Sequence, residues 1–161
     1  ASGAIKPVDD PATYVSSGWY RNRPHRRPKH GGVDVAFGVN KTGVPAKAMF
    51  NVAIISSGYQ EGPEGGYGNF ALMKILTPGK FQGHYMLYAH MANPIIHKNG
   101  TRLLQGDVVG EVGGTGRTPA YDIHLHVEFR ITEDRDSRYN INNIFRALYN
   151  RAEVRDEEAT R

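Results

Sequence analysis

The sequence contains no cysteine. Disulfide bonds and metal sites with thiolate ligands are therefore excluded, and a zinc site would have to use histidine and carboxylate side chains. Long apolar runs are also lacking, because no stretch approaches the ~20 residues that a membrane-spanning helix needs. The first residues, ASGAIKPVDDPATY, do not have the basic start and apolar stretch of a signal peptide. From this start and the charged C-terminal residues, we expect a domain excised from a larger or processed protein.

Positive charge is only slightly in excess. The chain has 20 Lys and Arg residues and 16 Asp and Glu residues, which gives a formal net charge of +4. Much of the excess lies in residues 21–30, RNRPHRRPKH. This run lacks the interleaved aromatic residues on which bases stack, and no nucleic-acid-binding module surrounds it, so we expect no nucleic-acid partner. It is either a solvated loop or an electrostatic contact for a polyanion such as a cell-wall polymer.

Helical periodicity is scarce, whereas short β-prone segments are frequent. The 19 glycines and nine prolines are scattered through the chain, a distribution typical of strands joined by turns. We expect a loop at residues 61–68 and a kink or bulge within one long strand. The predicted strands are residues 33–37, 47–59 (with the kink), 69–77 paired with 84–91, 106–116 and 122–131.

The clearest helix signal lies near the C-terminus, at residues 140–154. Its apolar residues recur at spacings that fit one helical face, namely Ile141, Ile144, Phe145 and Leu148. The fold class is therefore predicted to be mainly β, with antiparallel sheets and one C-terminal helix. We expect a single domain over residues 1–161, with its core at about 16–132.

Two histidines share one face of the most regular strand, DIHLHVEFRI at residues 122–131. Alternation predicts that its apolar side chains point one way and that the polar set points the other way: His124, His126, Glu128 and Arg130. The Cα atoms of residues two apart in a strand are about 6.6 Å apart, so one imidazole can bind a metal while the other contacts a ligand or water on it. A polar outer face on a half-buried strand is the structural alternative.

A second candidate group is HGGVD, residues 30–34. On a straight strand, His30 and Asp34 would lie about 13 Å apart. That is too far for two ligands with bonds of about 2 Å to one ion. The intervening Gly31 and Gly32 permit a tight turn, which would let the two side chains converge.

The other histidines carry weaker signals. His90 ends the predicted strand 84–91, where it is either a structural residue or part of a site. His25, His84 and His97 have no carboxylate or histidine partner nearby in sequence, and we interpret them as surface or structural residues. Two histidines and one carboxylate together make a set of three protein ligands, which leaves the fourth position of a catalytic zinc ion open to water.

Three ordered motifs resemble those of the lysostaphin-type, or LytM-like, zinc endopeptidases that cut peptidoglycan cross-bridges. The family's H-x-G-x-D corresponds to HGGVD at 30–34, its Y-x-H to YAH at 88–90, and its H-x-H strand to HLHVE at 124–128. The first motif alone would be common by chance, so the specificity lies in the ordered set. The resemblance covers roughly residues 16–132.

This resemblance implies antiparallel sheets that form a groove around a central zinc site. It makes His30, Asp34 and His126 the ligands of Zn²⁺, and His90 and His124 the catalytic pair. Zinc lowers the pKa of its bound water to about 7. An imidazole with a pKa near 6.5, about the value of free histidine, is suited to remove a proton from this water. We expect His124 to be the general base and His90 to stabilise the oxyanion or hold the water.

The resemblance also implies the partners of the chain. Its substrate would be the stem or cross-bridge peptides of bacterial peptidoglycan, with no nucleic acid and no membrane span involved. We expect a monomeric catalytic domain in an extracellular, periplasmic or phage-associated location.

Departures from the family pattern lie where the groove rim is expected. RTPAYDI at 117–123 replaces a short Ser/Thr-Gly-Pro link, Phe50-Asn51 replaces an Asp-Gly pair, and the loop 61–68 is longer than usual.

Two alternative functions remain. D-Ala-D-Ala dipeptidases and carboxypeptidases share the ligand types but have a first spacing of about H-x6-D by resemblance, against H-x3-D here. The second alternative is a catalytically inactive wall-binding or phage-tail module, although all five metal and catalytic positions are present.

Overall fold

The computed structural model describes residues 2–19, 30–37, 40–62 and 66–149. His25 with the rest of the basic run before His30, residues 63–65 of the predicted loop, and residues 150–154 of the predicted helix lie outside the described residues. Within the described ranges the chain forms nine strands, one 3-10 helix (Arg135–Ser137) and one α-helix, α1 (Asn142–Leu148). The strands are β1 Tyr14–Ser17, β2 Val33–Ala36, β3 Pro45–Lys47, β4 Val52–Gln60, β5 Gly68–Ile75, β6 Tyr85–Met91, β7 Arg102–Leu103, β8 Val108–Glu111 and β9 His124–Arg130.

Seven of these strands form one large sheet in the order β1-β2-β9-β6-β5-β4-β7, and β3 pairs with β8 in a second sheet of two strands. All the strand pairs are antiparallel. The predicted fold class is therefore confirmed, as is the predicted pairing of 69–77 with 84–91 through β5 and β6. The H-x-H strand, β9, lies between β2 and β6, so the three motifs meet at neighbouring strands.

The main hydrophobic core joins one face of the large sheet to the small sheet and α1. The alternate apolar residues of β9 are completely buried in it, as the pattern predicts. Other members come from the small sheet and the helix, and the cluster includes Leu125, Val127 and Phe129 of β9, Ala46, Val109, Ile141 and Phe145. Burial of such side chains stabilises the fold by about 1.5–3 kcal/mol each.

The opposite face of β9 carries the polar residues of the alternating pattern, and it is also buried. Glu128 has an exposed fraction of 0% and Arg130 one of 5%. The alternation is confirmed, but the structural alternative of a polar, solvent-facing strand is wrong. A buried carboxylate and guanidinium require partners, because unpaired buried charges are strongly unfavourable.

The predicted strand 47–59 is two strands in different sheets. β3 ends at Lys47, the chain bends through Met49 and Phe50, and β4 begins at Val52. Both residues of the bend are buried, at 0% and 1% exposure, so their apolar character reflects core packing rather than a continuous strand. The bulge expected in this segment is confirmed by a register shift in the pairing of β4 with β5.

The C-terminal helix begins and ends inside the predicted range. It ends at Leu148, because Tyr149 adopts an extended backbone (φ −113°, ψ 161°). That conformation stacks its ring on Phe145, with the ring centroids 6.2 Å apart. It also lets its hydroxyl donate to the Val8 carbonyl at 2.9 Å. These tertiary contacts replace another helical turn at Tyr149. In the described part of the chain, no helix combines the length and apolar character that crossing a bilayer requires.

Candidate metal centre and catalytic pair

Three of the predicted site residues converge where β2 meets β9. Asp34 of β2 lies directly opposite His126 of β9 in the antiparallel register. Side chains of directly paired residues point to the same face of a sheet, only about 5 Å apart at Cβ. Two residues separate His30 from the start of β2, and a bend at Gly32 brings it to the same place.

The donor atoms of these three residues have the spacing of a metal site. Asp34 Oδ1 lies 2.8 Å from His126 Nδ1 and 3.2 Å from His30 Nε2. The two imidazole nitrogens are 3.2 Å apart. Tetrahedral zinc with bonds of about 2.0–2.1 Å holds its ligand atoms about 3.3 Å apart. All three residues are buried, and together they fit a zinc ion with an open fourth position.

The two glycines between His30 and Asp34 have close neighbours, and at Gly32 the neighbour is backbone that cannot move aside. A Cβ on Gly31 would lie 2.0 Å from the guanidinium of Arg138, and one on Gly32 would lie 2.3 Å from the Val127 carbonyl oxygen. Neither glycine has a positive φ. The bend predicted for HGGVD is present at Gly32. The glycines, however, serve to let β2 and Arg138 pack tightly against the site rather than to supply a left-handed turn.

Each candidate imidazole ligand is oriented by a hydrogen bond from the ring nitrogen that faces away from the site. His30 Nδ1 donates to the Gly18 carbonyl at 3.0 Å, because a carbonyl oxygen can only accept. Its Nε2 lone pair is then directed at Asp34 and His126. On His126 the roles are reversed, since Nε2 donates to Glu128 Oε2 at 2.9 Å and Nδ1 faces the site. Such outer contacts orient metal-binding histidines and increase their basicity.

Glu128 is the centre of a buried ionic cluster behind the site. Its Oε2 accepts from His126 and from the Tyr67 hydroxyl, the latter at 2.6 Å. Its Oε1 accepts from Arg130 Nη2 at 3.0 Å and Nε at 3.2 Å. Burial favours the neutral acid, but the hydrogen bond from His126 and the neighbouring donors and cations outweigh it and lower the Glu128 pKa to about 2.

The sequence patterns assigned no role to this cluster. Glu128 was visible as part of the H-x-H strand, two residues from His126 and on the same face, which is the signal that could have identified it. Arg130 had the same signal, because alternation places it on that face of β9 as well. Tyr67 had none, because its contact with Glu128 joins segments that are distant in sequence. Residues that orient the candidate ligand were therefore found only in the structure.

Protons compete for the same positions as a metal. Burial opposes protonation of His126, but its hydrogen bonds to the Asp34 and Glu128 carboxylates outweigh burial and raise its pKa to about 9. Burial also opposes ionisation of Asp34, and the surrounding imidazoles of His30 and His124 outweigh it and hold that pKa well below the usual range. The site is thus built for a positive charge, whether a proton or a metal ion.

His90 reaches the site through a β-bulge. Tyr88 pairs with Ala71 and Met91 with Asn69, so two residues of β6 oppose one of β5. His90 has a φ of 62°, the one positive φ among the described non-glycine residues. Regular alternation would place His90 on the core face with Tyr88. The bulge re-aims it to the face of His126, as bulges near functional sites do.

The bulge brings His90 and His124 together. Their ring centroids are 4.8 Å apart, and His90 lies 5.8 Å from the ring of His126. His124 Nε2 is 3.8 Å from Asp34 Oδ1. Burial, together with the nearby imidazoles of His124 and His126, lowers the pKa of His90 to about 3, so this imidazole is neutral at pH 7.

Each member of this pair holds one ring nitrogen in a backbone hydrogen bond. His90 Nδ1 donates to the Thr115 carbonyl at 2.8 Å. His124 Nδ1 donates to the Asp122 carbonyl at 2.7 Å. In the neutral imidazole the remaining Nε2 is then an acceptor with a free lone pair. Both residues can therefore accept a proton or a hydrogen bond at Nε2.

The remaining described histidines lie outside this site. His84 Nδ1 is 2.7 Å from the Tyr139 hydroxyl, and His97 Nε2 is 2.9 Å from the Val108 carbonyl. Neither has a contact that joins it to the candidate ligands, in agreement with their interpretation as structural or surface residues. His25 lies outside the described residues.

A cavity of about 330 Å³ opens beside the site. It borders two of the site residues, Asp34 and His124, and continues along β1 and the segment before β9. Its lining is predominantly polar and consists of Tyr14, Ser16, Asp34, Ala36, Phe37, Asn40, Asp122, Ile123 and His124. This position suits one end of an extended substrate that crosses the site.

Known proteins of similar fold share this architecture. The catalytic domain of the antimicrobial peptidase lysostaphin from Staphylococcus simulans matches with a TM-score of 0.66 at 21% identity, covering 83% of this chain and 92% of that chain. A zinc-containing peptidase from Vibrio cholerae matches with a TM-score of 0.62 at 23% identity, covering 85% of this chain and 39% of that chain. The chain thus spans well under half of the Vibrio protein's solved chain.

A third similar structure is described by its assembly rather than by an enzyme activity. It is a complex of SpoIIIAH and SpoIIQ, with a TM-score of 0.63 at 16% identity, covering 88% of this chain and 99% of that chain. At these identities the structural matches show a common fold. No curated protein is similar to the chain in sequence.

Membership of a family follows from the sequence model of peptidase family M23, which matches residues 28–138. The match is more than half of the chain and includes all three motifs. The fold comparison with lysostaphin agrees with it. The chain therefore belongs to peptidase family M23, as a LytM-like peptidase domain of the lysostaphin type.

Proposed function

We propose that the chain is a zinc-dependent endopeptidase that hydrolyses peptide cross-links of bacterial peptidoglycan. The supporting observation is the set of His30, Asp34 and His126, whose donor atoms lie 2.8–3.2 Å from one another. Both imidazoles are oriented toward the site by outer hydrogen bonds. When bound there, Zn²⁺ would supply a Lewis acid and lower the pKa of a water molecule to about 7.

His124 is assigned as the general base. Its Nδ1–H is committed to the Asp122 carbonyl, so Nε2 has a free lone pair. That nitrogen is 3.8 Å from Asp34 Oδ1 and so borders the metal site. A neutral imidazole at this position accepts a proton from attacking water and returns it to the leaving amine.

His90 is assigned to hold the attacking water. The sequence left this role open beside that of an oxyanion donor. Because its Nδ1–H is committed to Thr115 and its pKa is about 3, Nε2 is unprotonated at pH 7. An unprotonated nitrogen accepts a hydrogen bond from water but has none to donate to an oxyanion.

The substrate class is carried over from the lysostaphin-type family. A LytM-like domain with both catalytic histidines in place suits peptide stems or bridges of peptidoglycan. We propose that the domain acts as a monomer in an extracellular, periplasmic or phage-associated location. The cavity beside His124 supports an extended peptide that continues past the scissile bond, as endopeptidase action requires.

The two alternatives differ in observable products. A D-Ala-D-Ala-type enzyme would release a dipeptide or D-alanine from chain ends, whereas an endopeptidase releases cut cross-links. An inactive module would release nothing. The converging ligand set and the bulge that presents His90 favour an active enzyme over an inactive module. The H-x3-D spacing favours the endopeptidase over the D-Ala-D-Ala type.

Mass analysis of fragments released from purified peptidoglycan by the zinc-loaded protein tests the proposal. We expect separated stem or bridge peptides, and no release when a chelator removes the metal. Release of terminal dipeptide or D-alanine alone would contradict the endopeptidase, and full activity in excess chelator would contradict the zinc mechanism.

Three single variants test the residue roles. His126→Ala should lose both zinc and activity, whereas His124→Ala should keep zinc and lose most activity. His97→Ala is the matched control, because its half-buried imidazole lies outside the site and donates to the Val108 carbonyl. Full activity of His124→Ala would refute its assignment as the base.

A further inference from the structure

The cavity beside His124 has a charge character of its own. Among the described residues that line it, Asp34 and Asp122 are the acidic ones, and no lysine or arginine is present. Asp34 is committed to the candidate metal site. The other polar lining groups are the side chains of Tyr14, Ser16, Asn40 and His124.

Asp122 is the charged group in this lining that is available to a ligand. Its side chain is exposed, and its carboxylate has no hydrogen bond or ion pair with any described residue. Other described carboxylates, such as Glu133, also lack a partner, but Asp122 is the one among them that lines the cavity. An acceptor-only group in a polar cavity favours a ligand that brings donors and positive charge.

The backbone ties this carboxylate to the catalytic pair. The Asp122 carbonyl accepts from His124 Nδ1 at 2.7 Å, and the neighbouring Ile123 N–H donates to Asn40 Oδ1 at 2.9 Å. These two bonds fix the peptide unit that follows Asp122. Asp122 thus lies two residues before His124 in the chain and lines the cavity beside it.

We propose that this cavity is a substrate subsite for a primary ammonium group, with Asp122 as its specificity-determining residue. The inference rests on the proposed peptidase function and names the chemistry of the peptide next to the cut. The ammonium is either the α-amine of a short peptide or the side-chain amine of a diamino acid. The cavity volume of about 330 Å³ exceeds what a single ammonium needs and lies in the range of ligand pockets, about 300–1,000 Å³.

The test compares one substrate in two forms. Cross-linked muropeptides released by a muramidase are used with their amines free or after acetylation with acetic anhydride, and kcat/KM is measured by mass spectrometry. For the wild type we expect kcat/KM to fall by about three- to ten-fold on acetylation, the effect of losing a charged contact that is partly exposed to water. Asp122→Asn should cut both forms at similar rates.

Matched variants separate charge from structure. Asp122→Glu should retain the preference for free amines. Glu133→Gln makes the same charge change at an exposed position beyond the other end of β9, and it should behave as the wild type. The melting temperature and zinc content of every variant are measured, to identify any variant that has lost its fold. If Asp122→Asn has done so, the comparison of Asp122→Glu with the wild type still tests the subsite.

Synthetic peptides around the identified bond, acetylated at either the α-amine or the side-chain amine, distinguish the two sources of the ammonium. Equal wild-type kcat/KM on free and acetylated muropeptides would overturn the subsite while leaving the peptidase intact, as would an unchanged preference in Asp122→Asn. No cleavage of either form would instead overturn the proposed function itself.

Discussion

Replacement of Glu128 by glutamine should weaken zinc binding without touching any metal ligand. Glu128 Oε2 accepts from His126 Nε2 at 2.9 Å and from Tyr67 at 2.6 Å. Its Oε1 accepts from Arg130 at 3.0 and 3.2 Å. Every partner of this carboxylate is a donor. A glutamine has the same shape, but one of its two polar atoms must be an NH₂ group.

Both orientations of that amide are unfavourable. If its NH₂ faces His126, then Nε2 must become the acceptor and the proton moves to Nδ1, the nitrogen that faces Asp34 and the site. If its NH₂ faces Arg130, a buried guanidinium is left opposite another donor. The first orientation blocks metal binding directly, and the second removes the negative charge that makes His126 basic.

The expected loss is about 10- to 100-fold in zinc affinity, the usual effect of removing an outer carboxylate from a metal-binding histidine. Breaking a buried ion pair by removal of one charge also lowers the free energy of unfolding by about 3–5 kcal/mol. Zinc affinity is measured by competition with a chromogenic chelator, and unfolding by thermal and urea melts on the metal-free protein.

Glu133→Gln is the control for the loss of one negative charge, since its side chain is exposed. It should leave zinc affinity and stability unchanged. The reasoning would be refuted if Glu128→Gln bound zinc as tightly as the wild type while the folded structure was retained, because the carboxylate would then have no part in orienting His126.

Three further outcomes are expected from the same geometry. Gly32→Ala places a Cβ 2.3 Å from the Val127 carbonyl and should lower the free energy of unfolding in urea melts by about 1–3 kcal/mol. Gly58→Ala is its control and should lower it less, because the nearest contact of that Cβ is a phenylalanine ring at 3.3 Å. His90→Asn should retain zinc and fold, since asparagine tolerates the positive φ, but lose most turnover on peptidoglycan; turnover near the wild-type rate would contradict its role. His126 has a raised pKa of about 9 in the metal-free fold, so its contribution to stability is complete below about pH 6.5 and is lost as pH rises toward 9. The melting temperature of the chelated protein should fall over that range, and a flat profile would argue against the pairing with Asp34 and Glu128.

The sequence was sufficient for the parts of the site that lie on regular strands. Alternation in β9 placed His124 and His126 on one face, and the structure has them there, with all the apolar partners buried. The motif order placed His30 and Asp34 at the same centre. Only the reason for the glycines differed, because close packing against Arg138 and Val127 depends on elements far away in sequence.

Short elements escaped prediction for a simple physical reason. β1, Tyr14–Ser17, and β7, Arg102–Leu103, have four and two residues. Runs of this length have too few positions to establish a period, and their strand conformation comes from pairing with β2 and β4. β1 nevertheless matters for the site, because it lines the cavity with Tyr14 and Ser16.

His90 shows that a motif can point to a residue without predicting the backbone geometry that presents it. A continuous β6 strand would direct Ala89 toward His126, its cross-strand partner, and His90 into the hydrophobic core with Tyr88. One extra residue, with a φ of 62°, reverses this at a cost of about 1–3 kcal/mol in backbone strain. The hydrogen bond from the His90 N–H to the Tyr67 carbonyl at 2.6 Å and the one from the His90 ring to the Thr115 carbonyl offset that cost.

Tyr67 therefore contacts both halves of the site. Its backbone carbonyl accepts from His90 in the bulge, and its hydroxyl donates to Glu128, the carboxylate that orients His126. This links the proposed catalytic pair to the candidate metal ligands through one residue that lies outside the three motifs.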